Sequence, residues 1–283
     1  MKYILEPVSK NQIIEFLGCR KKTDILIGTD FLTSGDSYKM SLDELNEILH
    51  LQKNIKVSLK INRLFHEKEL EQLINYLKQI DFNKIKFVFY SDLCLIDIFS
   101  MLNIDDKLVY DAYTYTTNYL DVLEYSRYNK YVVVSNQIST SEIASLTNKT
   151  NNVIIYGFGK SVIFYSKRPL LSNYFKYRNL NYDANDRNYN LKEEFREDLY
   201  HIYEDEHGSY VYEPKYYYLF DELKDLNNVD YLILNSTSLN AKQYKQVVNA
   251  YLNNNFEKLL EINIPLYKGI METKSVLLKS EVE

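Results

Sequence analysis

The strongest constraint on the fold of this chain is the regular alternation of short apolar runs with helical patterns. Most of these runs are rich in Val, Ile, Phe and Tyr without strict apolar–polar alternation, which is typical of strands buried on both faces of a parallel sheet. The runs are residues 3–6, 24–29, 55–61, 85–90, 108–112, 131–135, 153–157 and 231–235. Eight strands alternating with helices predict an α/β fold, a closed TIM-like β/α barrel.

Helix start signals separate several of the predicted strands. Ser41 with Glu44, and Ser139 with Glu142, fit the capping box, in which a hydroxyl and a carboxylate satisfy free backbone donors. Apolar residues at helical spacing within residues 66–78 predict a further amphipathic helix. These signals support the barrel prediction.

The alternation breaks once, between the seventh and eighth strands, in a stretch without a clean amphipathic helix. We interpret this insertion as strands and loops that cover the end of the barrel holding the strand C-termini, where such barrels place their chemistry. Within it we expect strands at 162–165, 200–203 and 210–212, a polar stretch at 179–190 and a short helix at 191–199. The predicted domain organisation is a single barrel domain over residues 1–263 with insertion 158–229, one long helix at 240–260 and a C-terminal tail at 264–283.

Charge and cysteine content limit the function classes. A formal net charge of -5 gives no global basic field, so nucleic-acid binding would need a local patch. Cys19 and Cys94 lie far apart and form no metal-ligand motif, which indicates free thiols in a reducing compartment. Neither a signal peptide nor an apolar run of membrane-spanning length is visible, and the expectation is a cytoplasmic protein with no membrane partner.

Polar residues follow the predicted strands, and in a barrel they would converge on one pocket. The set lacks a histidine or cysteine nucleophile, and the alternative is that polar residues stand there only because loops begin there. Its members are Glu6, Thr29, Asp30, Asn62, Ser91, Asp92, Thr114, Asn118, Ser135, Asn136, Tyr156 and Asn235.

A run of cations interleaved with aromatic residues occupies the first part of the insertion, and no acidic residue lies between residues 158 and 178. Cations neutralise phosphates and aromatic faces stack on unpaired bases, so the pattern suggests nucleic-acid contact. Two alternatives remain: a solvated face, or pairing with the nine carboxylates of residues 183–206. The cations are Lys160, Lys167, Arg168, Lys176 and Arg178.

The turn at residues 204–209 has the sequence Glu-Asp-Glu-His-Gly-Ser. His207 is a candidate acid–base group, because histidine titrates near neutral pH, and the adjacent carboxylates could flank it or bind a hard cation. The alternative is a β-hairpin that needs Gly208 for a positive φ angle. His50, His66 and His201 carry no functional signal. The chain contains no P-loop, Rossmann glycine fingerprint, His-Glu-x-x-His helix or Gly-x-Ser-x-Gly elbow, and no metal site is predicted.

Several segments, in order along most of the chain, resemble the collagenase-like peptidase family U32, especially its short members from Gram-positive bacteria. The most specific are Ser166-Lys167-Arg168 and the turn at 204–209; the others are residues 62–66, 108–118, 132–143, 156–157, 171–175 and 243–251. The resemblance implies a barrel-like α/β core. It also implies a link to hydroxylation of tRNA wobble uridine or of quinone precursors, with prephenate as a co-substrate in the tRNA branch.

The chain departs from the family pattern at two points. Tyr156-Gly157 stands where the family has His-Gly, and the four cysteines that hold an iron–sulfur cluster in longer relatives are absent. Two thiols cannot supply four cluster ligands, so we expect no cofactor built by this chain alone. The implied partners are a cysteine-bearing paralogue and tRNA.

The leading hypothesis is an accessory or substrate-binding subunit in tRNA wobble-uridine hydroxylation. Lys167 and Arg168 would contact phosphate or a carboxylate such as prephenate. Their fellow substrate-binding candidates are Asn62, Asp92, Thr114, Asn118, Asn136 and Tyr156, and the catalytic candidates at the pocket mouth are His207, Glu204 and Asp205. The alternatives are a collagenase-like peptidase and a degenerate, non-catalytic binding protein.

Overall fold

A computed structural model describes residues 1–18, 23–52, 55–112 and 115–269. In chain order, its strands are β1 (Lys2–Leu5), β2 (Thr23–Thr29), β3 (Lys39–Met40), β4 (Val57–Ile61), β5 (Ile85–Tyr90), β6 (Leu108–Tyr110), β7 (Tyr131–Val134), β8 (Val153–Gly159), β9 (Val162–Ser166), β10 (Asn190–Lys192), β11 (Leu199–Asp205), β12 (Gly208–Tyr212), β13 (Tyr216–Tyr218), β14 (Val229–Leu234) and β15 (Leu266–Tyr267). The helices are α1 (Lys10–Leu17), α2 (Leu42–Leu51), α3 (Leu70–Leu77), α4 (Cys94–Met101), α5 (Tyr119–Tyr125), α6 (Thr140–Thr147), α7 (Leu170–Tyr177), α8 (Ala241–Leu252) and α9 (Phe256–Leu260).

Eight parallel strands form a closed barrel in the order β1, β2, β4, β5, β6, β7, β8 and β14. The last strand closes the ring, because β14 pairs in parallel with both β8 and β1. All eight strands expected from the apolar runs are present, with ends within two residues of the predicted ones. The predicted TIM-like barrel is therefore confirmed.

The barrel strands are buried on both faces, which explains their continuous apolar sequences. Every residue of β2 and β8 is buried, and Leu5, Val88 and Leu232 are among the core residues with at most 1% exposure. Each such side chain contributes roughly 1.5–3 kcal/mol by leaving water.

The helices begin where the sequence indicates. The predicted length of the last helix differs from the structure. The capping boxes at Ser41 and Ser139 are both formed. The prediction of one long helix at 240–260 is wrong, because the chain forms α8 and α9 with a break between them. Asn254 adopts a left-handed conformation (φ 50°), which asparagine tolerates, and Asn255 caps α9 by accepting a hydrogen bond from Lys258 N.

The insertion forms a separate antiparallel sheet in the order β10, β11, β12 and β9. The strands expected at 162–165, 200–203 and 210–212 are present. Two expectations are wrong: residues 191–199 contain part of β10 and a turn instead of a helix, and residues 170–177 form α7. Leu171 of α7 packs with Ile202 and Val211 in a small apolar cluster apart from the barrel core.

Local sequence could not reveal α7, because its N-terminus is capped from a distance. The N-cap residue, Pro169, provides no side-chain cap. Glu204 accepts hydrogen bonds from Leu171 N at 2.7 Å and Ser172 N at 3.2 Å instead. A partner more than 30 residues away leaves no capping pattern in the sequence.

The segment after α9 returns to the barrel. Leu266–Tyr267 forms β15, which pairs in parallel with β13, and β13 pairs in antiparallel with the end of β8. Residues 264–269, which we assigned to the tail, therefore contribute to the barrel sheet; residues 270–283 lie outside the described part of the chain. No helix in the described ranges has the length and apolar character needed to span a membrane.

Candidate functional site

A cavity of about 430 Å³ lies at the end of the barrel where the strand C-termini meet. Residues from the barrel form its floor, among them Lys60 and Asn235, and the inserted sheet supplies its roof through Phe164 of β9 and Tyr210 of β12. The insertion therefore covers the end of the barrel at which this fold class carries its chemistry.

A buried ion pair holds the floor of this cavity. Lys60 Nζ lies 3.2 Å from both Glu6 carboxylate oxygens, and Asn235 Nδ2 donates to Glu6 Oε2 at 3.0 Å. The side chains of Lys60 and Glu6 are only 7% and 5% exposed. Sequence reasoning included Glu6 and Asn235 but missed Lys60, although a lysine inside a buried strand signals a buried acidic partner.

Tyr156 occupies the position at which the family resemblance implies a histidine. Its hydroxyl donates to Asp111 Oδ2 at 2.6 Å, and both residues are buried. The tyrosine replaces a titratable imidazole with a phenol that holds a buried carboxylate. This pair supplies hydrogen bonding inside the barrel, where a histidine would supply acid–base chemistry near neutral pH.

A second, larger cavity of about 1040 Å³ adjoins the first and is organised by Asp36. The Asp36 carboxylate lies 3.1 Å from His201 Nε2 and 3.2 Å from an Arg187 guanidinium nitrogen, and it accepts from Ser238 Oγ at 3.1 Å. Burial alone would raise the pKa of Asp36, but the hydrogen bond and charge of His201, then Arg187 and Ser238, outweigh it and lower that pKa. This network ties the inserted β10–β11 region to the loop after β2.

No sequence pattern indicates the role of His201. Its ring stacks on Tyr212 at 5.6 Å between centroids and is buried, while its carboxylate partner is 165 residues away in the chain. No local pattern connects the two residues. The sequence shows only a histidine within a strand of aromatic residues, which does not indicate a carboxylate partner.

The turn at 204–209 is a β-hairpin, as the alternative interpretation expected. β11 and β12 pair up to Asp205 and Gly208, and Gly208 has a φ angle of 143°. A Cβ atom on Gly208 would lie 2.2 Å from the carbonyl oxygen of Ser166. Glycine is therefore required both by the backbone conformation and by the close approach of β9.

The three catalytic candidates of this turn point to different partners. Glu204 caps α7, whereas Asp205 accepts from Lys39 Nζ at 2.6 Å and from Gly35 N at 2.9 Å. His207 Nε2 lies 3.2 Å from the backbone carbonyl oxygen of Asp30. Asp205 lines the larger cavity, while Glu204 and His207 line neither of the two cavities. The geometry favours structural roles, and catalysis by these residues stays a prediction.

Lys167 and Arg168 follow β9 and lie beside the hairpin. Ser209 Oγ is 2.9 Å from the Arg168 carbonyl oxygen and 2.9 Å from Glu204 Oε2, and the Ser209 hydroxyl donates its proton to one of these two oxygens. Ser209 Oγ also accepts a hydrogen bond from Leu170 N. The structure thus brings together the two segments that most resemble the family. The side chains of Lys167 and Arg168 are exposed and line neither cavity.

The remaining substrate-binding candidates are engaged locally. Asn118 caps α5, and Asp92 accepts from Phe65 N and Cys94 N. Asn62 exchanges two hydrogen bonds with the backbone of Ser34 at the edge of the smaller cavity. Asn136 donates to Ser161 Oγ at 2.6 Å beside a separate cavity of about 200 Å³. Thr114 lies outside the described residues, and substrate contact by these residues stays a prediction.

The described residues do not fit the iron–sulfur cluster of longer relatives. Burial, with the neighbouring Asp92, raises the pKa of Cys94 to about 12, so this thiol is not poised as a thiolate ligand or nucleophile. Cys19 lies outside the described residues. Among the described residues, no group of three or more His, Cys, Asp and Glu side chains is arranged to hold a metal ion.

The closed barrel and the sheet inserted over its C-terminal end define the class of protein, a β/α barrel with a covered strand end. The model of peptidase family U32 matches residues 33–263, and the chain belongs to this family, which confirms the resemblance. The chain is 25% identical over 199 residues to the tRNA hydroxylation protein P2 of Bacillus subtilis (strain 168). This alignment covers 68% of the chain and 64% of that relative.

A solved structure shares the fold. The structure of the U32 peptidase Mk0906 matches with a TM-score of 0.53, covering 85% of this chain and 94% of that one. The sequence identity is 12%, so this likeness concerns the fold alone.

Proposed function

We propose that this chain is an accessory, substrate-binding subunit in the hydroxylation of tRNA wobble uridine. The name of the Bacillus subtilis relative, tRNA hydroxylation protein P2, supports the tRNA connection. The observation that carries the proposal is an exposed cationic strip on the insertion, formed by Lys167, Arg168, Lys176 and Arg178.

The cationic strip is available for an external partner. None of its four side chains comes within 4.0 Å of a carboxylate oxygen of any described residue. The acidic half of the insertion is engaged elsewhere, for example Asp205 with Lys39 and Asp198 with Lys215. The alternative in which the two halves neutralise each other receives no support. Exposed cations free of such pairing are suited to phosphates.

Aromatic side chains lie in the same stretch of chain. Tyr174 and Tyr177 of α7 are 54% and 82% exposed, and they present faces on which unpaired bases can stack. β9 links the strip to the barrel. Its residues Ile163 and Phe164 line the smaller cavity, and Lys167 of the strip directly follows the end of this strand. An RNA loop held by the strip would place a nucleotide near the rim of this cavity, where enzymes that act on bases receive an extruded nucleotide.

The hydroxylation chemistry is assigned to a partner. The chain has two cysteines and cannot supply four thiolates, so we propose a cysteine-bearing paralogue as the second subunit. Prephenate, implied by the family resemblance, is the proposed co-substrate of the complex. This chain would contribute RNA binding and nucleotide positioning.

RNA binding is tested with the full chain and a tRNA anticodon stem-loop, titrated at several salt concentrations. In the Lys167→Gln/Arg168→Gln variant we expect about tenfold weaker binding, and the slope of log K against log[salt] should fall by about 1.4–1.8 for two lost phosphate contacts. Lys78→Gln/Lys130→Gln, which removes two exposed cations outside the insertion, is the control matched for net charge. Equal affinities of the two double variants would contradict the proposal.

The cellular role is tested by deleting the gene and measuring wobble hydroxyuridine by mass spectrometry. We expect its loss in a strain without a redundant pathway, restored by the wild-type gene and only weakly by the Lys167→Gln/Arg168→Gln gene. Unchanged hydroxyuridine after deletion in such a strain would remove the proposal.

A non-catalytic binding protein is the second candidate, and the Tyr156–Asp111 hydrogen bond favours it by filling the place of the family's histidine. Copurification with tRNA or a paralogue, without any change in hydroxyuridine on deletion, would support this candidate. The peptidase activity of the family label gains no support, because no Ser or Cys side chain in the described ranges hydrogen-bonds to a histidine.

A further inference from the structure

Lys160 lies on the wall that separates the two cavities at the barrel end. It follows β8 directly, after Gly159, whose φ angle of 143° and close contact with Asn235 fix the exit of the strand. Lys160 lines both the smaller and the larger cavity, together with Asp36 and Ser37. A ligand in either cavity would meet this side chain.

The Lys160 ammonium makes no hydrogen bond and no ion pair with any residue in the described ranges. It sits over the ring of Tyr216, 4.7 Å from the centroid. Burial lowers the pKa of Lys160, and the more distant carboxylates of Asp36 and Glu213 only partly offset this effect. Lys160 is half-buried, and an ammonium partly withdrawn from water is stabilised by an anion, which no described side chain supplies in direct contact.

The other lysines that line the two cavities are already paired. Lys60 is paired with Glu6, and Lys39 is paired with Asp205. The Asp36 carboxylate is occupied by Arg187, His201 and Ser238. Among the three lysines that line the two cavities, Lys160 is therefore the one without a hydrogen bond or ion pair to a described residue.

Two further features suit a bound anion that carries a ring. The Ser37 hydroxyl is buried and has no hydrogen-bond partner among the described residues. The rim of the smaller cavity is apolar, formed by Leu64, Tyr115 and Phe164, which are 42%, 77% and 49% exposed. Its volume falls within the roughly 300–1,000 Å³ typical of small-molecule sites.

We propose that Lys160 is an anion-binding residue, which receives the carboxylate or phosphate group of a small molecule whose ring packs against the aromatic rim of the smaller cavity. This inference rests on the proposed function and deepens it, because it assigns one residue of this chain to the binding of an anionic, ring-bearing substrate. The shared chemistry is an anionic oxygen group attached to a planar ring. A ring-bearing carboxylate and a mononucleotide are its two sources.

Isothermal titration calorimetry of the full chain distinguishes the sources with paired probes: 3-phenylpropanoate against its neutral amide, and uridine monophosphate against uridine. We expect one anion to bind at least about tenfold more tightly than its neutral partner. Lys160→Gln should abolish this preference, Lys160→Arg should retain most of it, and Lys78→Gln, which removes an exposed lysine that lines neither cavity, should leave it unchanged. Thermal unfolding of each variant checks that the fold is intact.

Equal binding of the charged and neutral probes, an undiminished preference in Lys160→Gln, or no binding of either anion up to about 10 mM would overturn the proposal. Binding of 3-phenylpropanoate alone identifies the ligand as a carboxylate, and binding of uridine monophosphate alone identifies it as a nucleotide. The anticodon stem-loop titration depends on Lys167 and Arg168, so its outcome is independent of this one.

Amine-directed acetylation of the wild-type chain provides a second measurement. Lys160 and the exposed Lys78 are compared in the same molecule by peptide mass spectrometry, with and without the bound anion. The anion should slow modification of Lys160 and leave that of Lys78 unchanged. Equal protection of both lysines, or of neither, would contradict a specific site at Lys160.

Discussion

The barrel interior and the insertion use the same residue types in opposite ways. Lys60 is buried at the barrel end with both of its oxygen partners on Glu6, whereas Lys167 on the insertion is exposed and makes no ion pair with a described residue. A charge inside the barrel is part of the structure, because desolvation makes an unpaired ion costly there. A charge on the cationic strip stays in contact with water, so it costs little free energy and can bind a partner. Lys160 lies between the two situations, since it is half-buried and makes no ion pair with a described residue.

The two regions also differ in how they are held together. The barrel has one large apolar core, while the inserted sheet has a small cluster around Leu171, Ile202 and Val211. Polar contacts between residues distant in the chain stabilise the insertion. Asp205 contacts Lys39, and Arg187 and His201 contact Asp36. Within the insertion, Glu204 caps the start of α7. Removing these contacts should loosen the insertion and leave the barrel intact.

The largest effect is expected from Glu6→Ala, which leaves Lys60 buried without its carboxylate. The free energy of unfolding should fall by about 3–5 kcal/mol, as measured by urea denaturation, because the remaining ammonium is uncompensated. Glu47→Ala, which breaks the exposed pair with Lys10, is the matched control and should have a far smaller effect. Similar losses in both variants would show that burial of the pair does not distinguish the barrel interior from the surface.

Asp205→Ala should produce the next largest effect, confined to the insertion. Loss of the hydrogen bonds from Lys39 and Gly35 should cost about 2–3 kcal/mol, because Lys39 is only 13% exposed. Hydrogen exchange should show faster exchange in β11 and β12, with β4 and β5 unchanged. Asp198→Ala, which breaks a more exposed pair with Lys215 in the same region, should cost less than about 1 kcal/mol. Uniform loss of protection in the barrel would contradict the separation of the two regions.

Glu204→Ala should destabilise α7 by about 1 kcal/mol, the usual cost of losing an N-terminal cap. The expected signature is faster amide exchange at residues 170–177. Glu206→Ala, in the adjacent turn and 75% exposed at its side chain, is the control and should leave α7 unchanged. If Glu206→Ala had the same effect as Glu204→Ala, the capping role of Glu204 would be wrong.

The smallest expected effect is the pH dependence contributed by Asp36. Its pKa is lowered in the folded state, so its stabilisation is fully present above the unfolded pKa of about 3.9 and is lost as the pH falls through the lower folded value. The difference in free energy of unfolding between wild type and Asp36→Asn, measured from pH 7 to pH 3, should therefore shrink toward acid pH. A difference that stays constant or grows toward acid pH would show that the carboxylate is not stabilised by His201 and Arg187.

Sequence patterns predicted the parts of the fold that depend on neighbouring residues. The eight strands were visible as apolar runs, the capping boxes as hydroxyl–carboxylate pairs three residues apart, and the hairpin at Gly208 as a glycine between β-forming residues. The break between α8 and α9 was missed, because three consecutive asparagines interrupt an otherwise continuous helical pattern only weakly.

The candidate site was less accessible to sequence reasoning. Glu6 and Asn235 were expected at the barrel end because they follow strands, but Lys60 lies inside one and was overlooked. Lys160 was included in the cation run, and nothing in that run distinguished its enclosed position from the exposed position of Lys167. His201 was dismissed, because the carboxylate that holds it comes from the loop after β2.

The barrel is predictable from the order of side chains alone, because hydrophobic periodicity and helix capping act over a few residues. Which charges are paired and which are available depends on the three-dimensional arrangement of the chain. Asp36 and His201, and Glu204 and α7, meet through contacts that span between 30 and 170 residues of chain. Such pairings follow from how the insertion folds over the barrel, since electrostatic energies depend on distance and burial in space and not on separation along the chain.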